Sequence, residues 1–167
     1  MNDIKSTYLK LVKEYMDEIK EALNGKLVSV CLFGSIARGD FTRESDIDLL
    51  IIAKNVPDDV GRRHSLFRES RRKILSSDTA VNLRRMGYST TFSEIILTPE
   101  EVKTHPPILL DIVEEGIILY DDNNFLSSII DEVRCRLKKL GAKRIKLKRG
   151  WYWLLKPDAK FGEEIIV

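Results

Sequence analysis

Two short apolar runs constrain the fold of this chain more than any other feature. The letters LVSVCLF occupy residues 27–33, and DIDLLIIA occupies residues 46–53. Runs of this length that are rich in apolar and β-branched side chains are typical of buried strands. Gly34 and Ser35 follow the first run at once, and Asn-Val-Pro-Asp ends the second. The pattern therefore predicts two strands with a turn directly after the first.

The rest of the chain alternates between helical and strand patterns. Apolar residues at steps of three and four predict helices, two of them led by prolines, and further apolar runs predict two more strands. The predicted helices cover 4–23, 59–75, a turn at 36–38, segments after 98 and 107, and 124–140, and the added strands cover 90–97 and 116–120. We expect an α/β (α+β) fold with a small mixed sheet and helices mainly on one face.

The bulk composition indicates one soluble domain. The chain has 167 residues, of which 43% are hydrophobic and 32% are charged. No segment approaches the ~20 uncharged apolar residues that span a bilayer, and the first residues lack a signal peptide, so we expect a cytoplasmic protein without membrane contact. We divide it into a core, 1–122, and a C-terminal helix with a basic and aromatic tail, 123–167, packed on that core.

Asp46 and Asp48 form the first candidate site. Residues two apart in a strand share a face, so these carboxylates project together, roughly 7 Å apart at the backbone. Magnesium prefers carboxylates combined with waters and substrate phosphates. An acidic pair ahead of four apolar residues is also unusual for a buried strand, although a solvent-exposed strand start would have the same pattern. The pair predicts a magnesium site.

Gly34 and Ser35 form the second candidate site. A glycine at a strand end lets the backbone approach a phosphate closely, and the serine hydroxyl adds a hydrogen-bond donor. A plain strand-to-helix turn is the alternative. The role of Arg38 also has two interpretations, because its side chain could contact a phosphate or form a salt bridge with Asp40 or Glu44.

The segment GSIARGDFTRESDIDLLII resembles the signature of the DNA polymerase β nucleotidyltransferase superfamily, in which Gly-Ser precedes Asp-x-Asp by ten residues. The match is nearest to the minimal nucleotidyltransferases. The resemblance implies magnesium, a nucleoside triphosphate donor and release of pyrophosphate. We expect ATP as the triphosphate. It does not imply an acceptor, and a protein and an RNA both remain open.

The resemblance also implies a third carboxylate on a neighbouring strand, as metal ligand and base. Glu94 is the acid within the third predicted strand, and we name it as the candidate. Alternation puts Ser93 on the other face of that strand, and the alignment of the segment TPEE places the third acid nearer Ser93. Asp78 and Asp111 are weaker substitutes.

Two basic segments leave other functions open. Residues 62–73 hold six basic residues and one acid, and residues 134–149 hold nine basic residues and no acid. Either segment could attract a triphosphate or a nucleic acid, or could be a solvated surface. Trp151, Tyr152 and Trp153 could stack on bases or pack on the core. The alternatives to an enzyme are a non-catalytic, antitoxin-like nucleotide-binding partner and a nucleic-acid-binding protein.

Overall fold

The computed structural model of the protein describes residues 2–147, 150–160 and 162–165. A four-stranded sheet has the order β3-β2-β1-β4. Strand β1 pairs antiparallel with β2 and β4, and β2 pairs parallel with β3, so the sheet is mixed. The strands are β1 Leu27–Phe33, β2 Ile47–Ala53, β3 Phe92–Leu97 and β4 Ile117–Asp121.

Eight helices are described around this sheet. They are α1 Asn2–Leu23, α2 Gly34–Arg38, α3 Val60–Leu66, α4 Arg68–Leu75, α5 Asp78–Arg85, α6 Pro99–Lys103, α7 Ile108–Glu115 and α8 Phe125–Lys139. A 3₁₀ turn, Asp122–Asn124, precedes α8. No helix in the described part of the chain is long and apolar enough to cross a membrane.

Helices cover both faces of the sheet. Helices α1, α4 and α5 pack on one face, which we call the α1 face, and α6, α7 and α8 pack on the other, which we call the α8 face. The predicted fold class is confirmed, but the expectation of helices mainly on one face is wrong. All seven residues of β1 are buried, and a strand that is apolar on both sides needs cover on both sides.

The C-terminal part adds a second, two-stranded sheet that the sequence pattern did not predict. Strands β5 (Lys143–Lys146) and β6 (Trp151–Leu154) pair antiparallel. Trp153 and Leu155 pack against the core on the α8 face, while Tyr152 is 49% exposed. Helix α8 contributes five buried residues to the same core. The division at residue 122 stays a prediction.

The observed elements otherwise lie close to the predicted ones. Strand β1 has the predicted bounds, and the helix start at Thr98 carries a full capping box with Glu101. Helix α5 was not predicted, because its sequence DTAVNLRR has few apolar positions. The single helix predicted over 59–75 is two helices that meet at Phe67, whose ring is fully buried.

Candidate active site

The Asp48 carboxylate lies directly against the backbone of Gly34. Asp48 lies on β2, and Gly34 directly follows the last residue of β1, Phe33, which pairs with Asp48. Gly34 has φ +72°, and a Cβ built on it would stand 2.1 Å from Asp48 Oδ2. A side chain at position 34 would therefore displace the carboxylate as well as strain the backbone. The glycine and the second aspartate are parts of one packed site.

Asp46 and Asp48 form a like-charged pair at this end of the sheet. Asp46 is exposed and Asp48 is half-buried. Burial raises the pKa of Asp48 above its ordinary value, a hydrogen bond from Ser93 opposes that shift, and the negative charge of Asp46 raises the pKa further. Two carboxylates that disfavour each other's charge are a suitable donor set for a cation.

The loop between the two motifs is held by aromatic packing. The Phe41 ring packs edge-on against Tyr8, with centroids 5.5 Å apart, and against Tyr88, with centroids 6.2 Å apart. The Arg43 carbonyl accepts a hydrogen bond of 2.7 Å from the Ser89 N–H. These contacts fix the polar loop on the helices of the α1 face, and the sequence pattern did not single out Phe41.

Ser35 lies in the first turn of α2, directly after Gly34. Its carbonyl accepts hydrogen bonds from the backbone N–H groups of Gly39 and Asp40, which close the short helix. The first N–H groups of a helix have no acceptor within the helix itself. These N–H groups and the Ser35 hydroxyl follow directly after Gly34, the residue that contacts Asp48. The Gly-Ser turn and the aspartate pair therefore lie side by side.

Arg38 forms salt bridges within the protein. Its Nε donates to both carboxylate oxygens of Asp40 at 3.1 Å, and its Nη1 donates to Glu115 at 3.2 Å. The expected alternative of a salt bridge to Asp40 is thus present. The Arg38 charge also lowers the pKa of Asp48, so the guanidinium lies within electrostatic reach of the aspartate site. A phosphate contact by Arg38 stays a prediction.

Glu94 does not lie with the aspartates, and its assignment as the third carboxylate is wrong. Asp48 pairs with Ser93 in the register of β2 and β3, while Glu94 pairs with Leu49, whose side chain lies in the core on the α1 face. Neighbouring residues in register share a face of the sheet, so Glu94 projects away from Asp48.

The Glu94 carboxylate is instead part of a buried network on the α1 face. Its side chain has no exposed surface. Tyr15 donates a hydrogen bond to it, Arg71 Nη1 forms an ion pair with it at 2.5 Å, and His64 Nδ1 lies 3.4 Å away. Burial and the Glu94 charge raise the pKa of Tyr15 strongly, which keeps that hydroxyl as a donor. All these partners join helices to β3.

Ser93, rather than Glu94, is the β3 residue that lies beside Asp48. It is exposed, it is the register neighbour of Asp48, and its side chain donates a hydrogen bond to that carboxylate. The alignment of TPEE had indicated this position. Asp78 begins α5, against α1, and Asp111 lies on α7 near Arg38 and Glu115. Neither of them is among the charges that shift the pKa of Asp48.

The donor set fits a cation that completes its shell with substrate. Within residues 2–147, 150–160 and 162–165, no group of three or more His, Cys, Asp or Glu side chains could hold a metal by itself. Asp46 and Asp48 could supply two oxygen ligands. Magnesium commonly takes one or two carboxylates plus phosphate oxygens and waters, so this two-carboxylate set is compatible with it.

The first basic segment, 62–73, is largely used for internal pairing. Within this fully described segment, four cations have carboxylate partners, and the pairs are Arg63–Glu101, Arg71–Glu94, Arg72–Glu69 and Lys73–Glu18. The Arg63 side chain is nearly buried and also donates to the Ile96 carbonyl. The segment therefore braces helices. Of the second segment, Lys148 and Arg149 lie outside the described residues.

Comparison with known proteins establishes the class to which this geometry belongs. The family model described as "Nucleotidyltransferase domain" matches residues 12–136, which is more than half of the chain. The chain belongs to this family, and the expected nucleotidyltransferase is confirmed at that level. The matched segment contains the whole Gly-Ser and Asp-x-Asp site and ends before β5.

Several proteins are similar to this chain, and three of them illustrate the range. A Methanocaldococcus jannaschii protein, named as a candidate protein adenylyltransferase (MJ1305), is 27% identical over 143 residues, covering 84% of this chain and 90% of that protein. A second protein so named from the same organism (MJ0604) is 49% identical over 43 residues, covering 26% of this chain and 43% of that protein. A crystal structure of a candidate nucleotidyltransferase from Sulfolobus solfataricus has 24% identity and a TM-score of 0.46, covering 71% of this chain and 85% of that chain.

Proposed function

We propose that this protein is a magnesium-dependent adenylyltransferase that transfers AMP from ATP to a hydroxyl group of a protein. One observation carries the proposal: the Asp48 carboxylate is seated against Gly34 with no room for a Cβ between them. A triphosphate held on the Gly-Ser turn would therefore lie beside both carboxylates. This contact unites the anion-binding and cation-binding halves of the motif.

The chain's own residues have separate roles in this proposal. Gly34 leaves the backbone open to the phosphates, and Ser35 donates its hydroxyl to one of them. Asp46 and Asp48 would hold the magnesium ion, and the Ser93 hydrogen bond orients Asp48. The bound ion would neutralise charge on the α-phosphate and on the departing pyrophosphate. Arg38 keeps Asp40 and Glu115 together at the margin of the site.

The reaction is a single displacement at phosphorus. The acceptor oxygen forms a bond to the α-phosphorus, the bond from that phosphorus to the bridging oxygen breaks, and pyrophosphate leaves with the electron pair. Direct transfer needs no covalent intermediate with the protein, and the site offers none of the paired nucleophiles that such a step requires. Because Ser93 replaces a carboxylate, the acceptor's proton passes to solvent.

The choice of adenylyl donor and protein acceptor rests on relatives. The Methanocaldococcus jannaschii proteins are named as candidate protein adenylyltransferases, and one of them is matched over 90% of its length. The site geometry alone is compatible with any nucleoside triphosphate as the donor, since the Gly-Ser turn and the aspartates would bind the phosphates and their metal rather than a base.

Transfer of label from the α-phosphate tests the donor and the reaction. The protein is incubated with magnesium and each of ATP, GTP, CTP and UTP labelled at the α-position, with and without an added protein mixture. We expect label on protein together with pyrophosphate release, with ATP preferred and with chelation by EDTA abolishing both. Pyrophosphate release without label on any protein would contradict the protein acceptor, and no release with any triphosphate would contradict the activity.

Ser93 favours a second candidate function, a nucleotide-binding partner that does not turn over. A serine cannot act as the carboxylate base that the superfamily resemblance implies. The variant Ser93→Asp separates the two functions, since general-base catalysis is worth about 100-fold or more. Measurable transfer by the parent chain that rises with Ser93→Asp identifies a slow enzyme. Transfer that is absent in the parent and appears in the variant identifies the binding partner.

A further inference from the structure

A polar cleft of about 460 Å³ adjoins the aspartate site. The signature loop, α7 and the β5–β6 hairpin all contribute residues to its lining. Residues of the three parts line it together: Arg38 and Asp40, Glu115, and Arg144, Lys146 and Trp151. Arg38 belongs to both places, because its charge acts on Asp48 while its side chain lines the cleft. A ligand in this cleft would therefore lie beside Arg38, within electrostatic reach of the aspartate site.

The acids of the cleft are already satisfied by guanidinium groups. Both oxygens of Asp40 accept from Arg38. Of the two oxygens of Glu115, one accepts from Arg38 and the other from Arg144. No carboxylate of the lining is left to attract a cation.

The donors of the cleft are not all satisfied. The Nε of Arg144 is buried without a hydrogen-bond partner, and the exposed ammonium of Lys146 has no ion pair or hydrogen bond among the described residues. The Arg144 guanidinium lies 3.9 Å from the centre of the Trp151 ring, so that ring face is already covered. Among the residues that the structure describes, the cleft thus offers the unpaired ammonium of Lys146 beside Arg144, and the guanidinium covers one face of the Trp151 ring.

We propose that this cleft binds a carboxylate side chain, Asp or Glu, that flanks the modified hydroxyl residue of the protein acceptor. The inference rests on the proposed function for the identity of the acceptor, but its binding step needs neither metal nor turnover. Lys146 would pair with the carboxylate, beside the positive charge of the stacked Arg144 guanidinium. A pocket of a few hundred Å³ suits one or two side chains.

The charge balance favours a peptide over a nucleic acid. Arg38, Arg144 and Lys146 line the cleft with Asp40 and Glu115, and the half-buried Asp111 lies within electrostatic reach of both arginines. Among the described residues the region therefore has three charges of each sign, with Lys148 and Arg149 outside that count. A nucleic acid is held by several cations that neutralise several phosphates. Among the described residues, one unpaired lysine beside a guanidinium that already pairs with Glu115 is instead matched to a single carboxylate.

The hairpin that completes the cleft is separate from the family domain. The matched nucleotidyltransferase segment ends at residue 136, whereas β5 begins at Lys143. Trp153 anchors the hairpin in the core, and Arg144 ties it to α7. The cleft is therefore an addition to the domain that binds the triphosphate, which suits an element that selects the acceptor.

Nuclear magnetic resonance of the tryptophan indoles provides the test. The chain has two tryptophans, of which Trp151 lines the cleft and Trp153 has a buried Nε1, and Trp151→Phe assigns their signals. The probes are the peptide Ala-Glu-Tyr-Glu-Ala, its glutamine counterpart Ala-Gln-Tyr-Gln-Ala, and a ten-nucleotide single-stranded RNA, each titrated into the full chain at low salt. We expect the glutamate peptide to shift the Trp151 signal saturably, with little shift from the glutamine peptide.

A charge-reversal pair sharpens the result. Lys146→Glu is expected to weaken the glutamate peptide about tenfold, because it removes an attraction and adds a repulsion, each worth roughly a factor of three at an exposed site. Lys143→Glu is the matched control, since Lys143 is exposed on the same strand but does not line the cleft. It should change the affinity far less.

Three outcomes overturn the inference. They are equal binding of the two peptides, equal losses from Lys146→Glu and Lys143→Glu, and RNA binding at Trp151 that is lost in Lys146→Glu. A failure of the proposed function is seen separately, because it removes transfer of label from ATP while leaving the peptide titration unchanged.

Discussion

Asp48 and Glu94 lie on neighbouring strands, but they differ in burial, in electrostatic surroundings and in the face of the sheet from which they project. Asp48 is half-buried beside the negative Asp46, on the face of the sheet that meets the Gly-Ser turn. Glu94 is fully enclosed on the opposite face, where Tyr15 and Arg71 satisfy it. The Asp48 carboxylate therefore lies beside a like charge that a bound cation would offset. The Glu94 carboxylate already has an ion-pair partner and a hydrogen-bond donor within the protein.

This difference shows which kind of acid can serve a reaction. An enclosed carboxylate with an ion pair and a hydrogen-bonded tyrosine stabilises the fold, and removing it leaves Arg71 without its partner. A carboxylate that lies beside a like charge costs stability, and such a cost is retained where a ligand offsets it. The comparison predicts that changes at Asp46 and Asp48 affect function, whereas a change at Glu94 affects stability.

The largest effect is expected from the double variant Asp46→Asn with Asp48→Asn. Loss of the cation site should lower adenylyl transfer at least about 1,000-fold, since metal stabilisation of the transferred phosphoryl group is worth several kcal/mol. Steady-state pyrophosphate release at saturating magnesium measures it. Glu44→Gln, an exposed acid in the same loop, is the control. Transfer that survives in the double variant would remove both aspartates from the mechanism.

Glu94→Gln should have the opposite effect: it should lower the stability of the fold and leave adenylyl transfer nearly unchanged. Breaking a buried ion pair costs about 3 kcal/mol, here at the lower end of the usual range because Arg71 is 25% exposed. Urea unfolding should show this loss, while transfer well below the unfolding transition stays near that of the parent. Glu69→Gln on α4, whose partner Arg72 is 76% exposed, should leave the urea midpoint unchanged. A transfer defect without a stability loss would return Glu94 to the active site.

Gly34→Ala tests the contact that joins the two halves of the site. The new Cβ would stand 2.1 Å from Asp48 Oδ2, so the carboxylate must move, and we expect triphosphate binding to weaken by about tenfold or more. Calorimetry with a non-hydrolysable ATP analogue and magnesium measures it. Gly25→Ala is the control, because Gly25 has φ +79° and nothing within 4 Å of a Cβ. Equal binding losses in both variants would indicate backbone strain alone.

Ser35→Ala should have a smaller effect of the same kind. One hydrogen bond from a hydroxyl is worth about 1 kcal/mol, so the affinity for the ATP analogue should fall about fivefold. The same calorimetric titration reports it, with Ser45→Ala in the loop as the comparison. An unchanged affinity would mean that the backbone N–H groups of α2 hold the phosphates without the hydroxyl.

The smallest effect concerns pH and stability without metal. The pKa of Asp48 is raised by burial, so the folded state holds this proton more tightly than the unfolded state does, and stability falls as pH rises through the window between the two values. Asp48→Asn should therefore be slightly more stable than the parent at pH 7, with a difference that shrinks as pH falls through that window. Thermal unfolding in EDTA across pH 3.5–7 measures it, and a destabilised variant at pH 7 would contradict it.

The local sequence determined much of the site in advance. The apolar run before Gly34 ended β1 at the predicted residue. The period of two in a strand predicts that Asp46 and Asp48 share a face, and the effect of the Asp46 charge on the pKa of Asp48 is consistent with that prediction. Both inferences depend only on residues that are close along the chain. The mixed α/β class could be predicted for the same reason, since helical and strand periodicities are local properties.

The tertiary structure decided what lies opposite those residues. Alternation along β3 could separate Ser93 from Glu94, but it could not say which of them meets Asp48, because the parallel register with β2 is set by packing across both faces of the sheet. Tertiary structure also decided that helices cover both faces of the sheet. It likewise decided that Arg144 forms an ion pair with Glu115, which is 29 residues away along the chain. Contacts between distant segments depend on the whole core, and short-range periodicity carries no information about them.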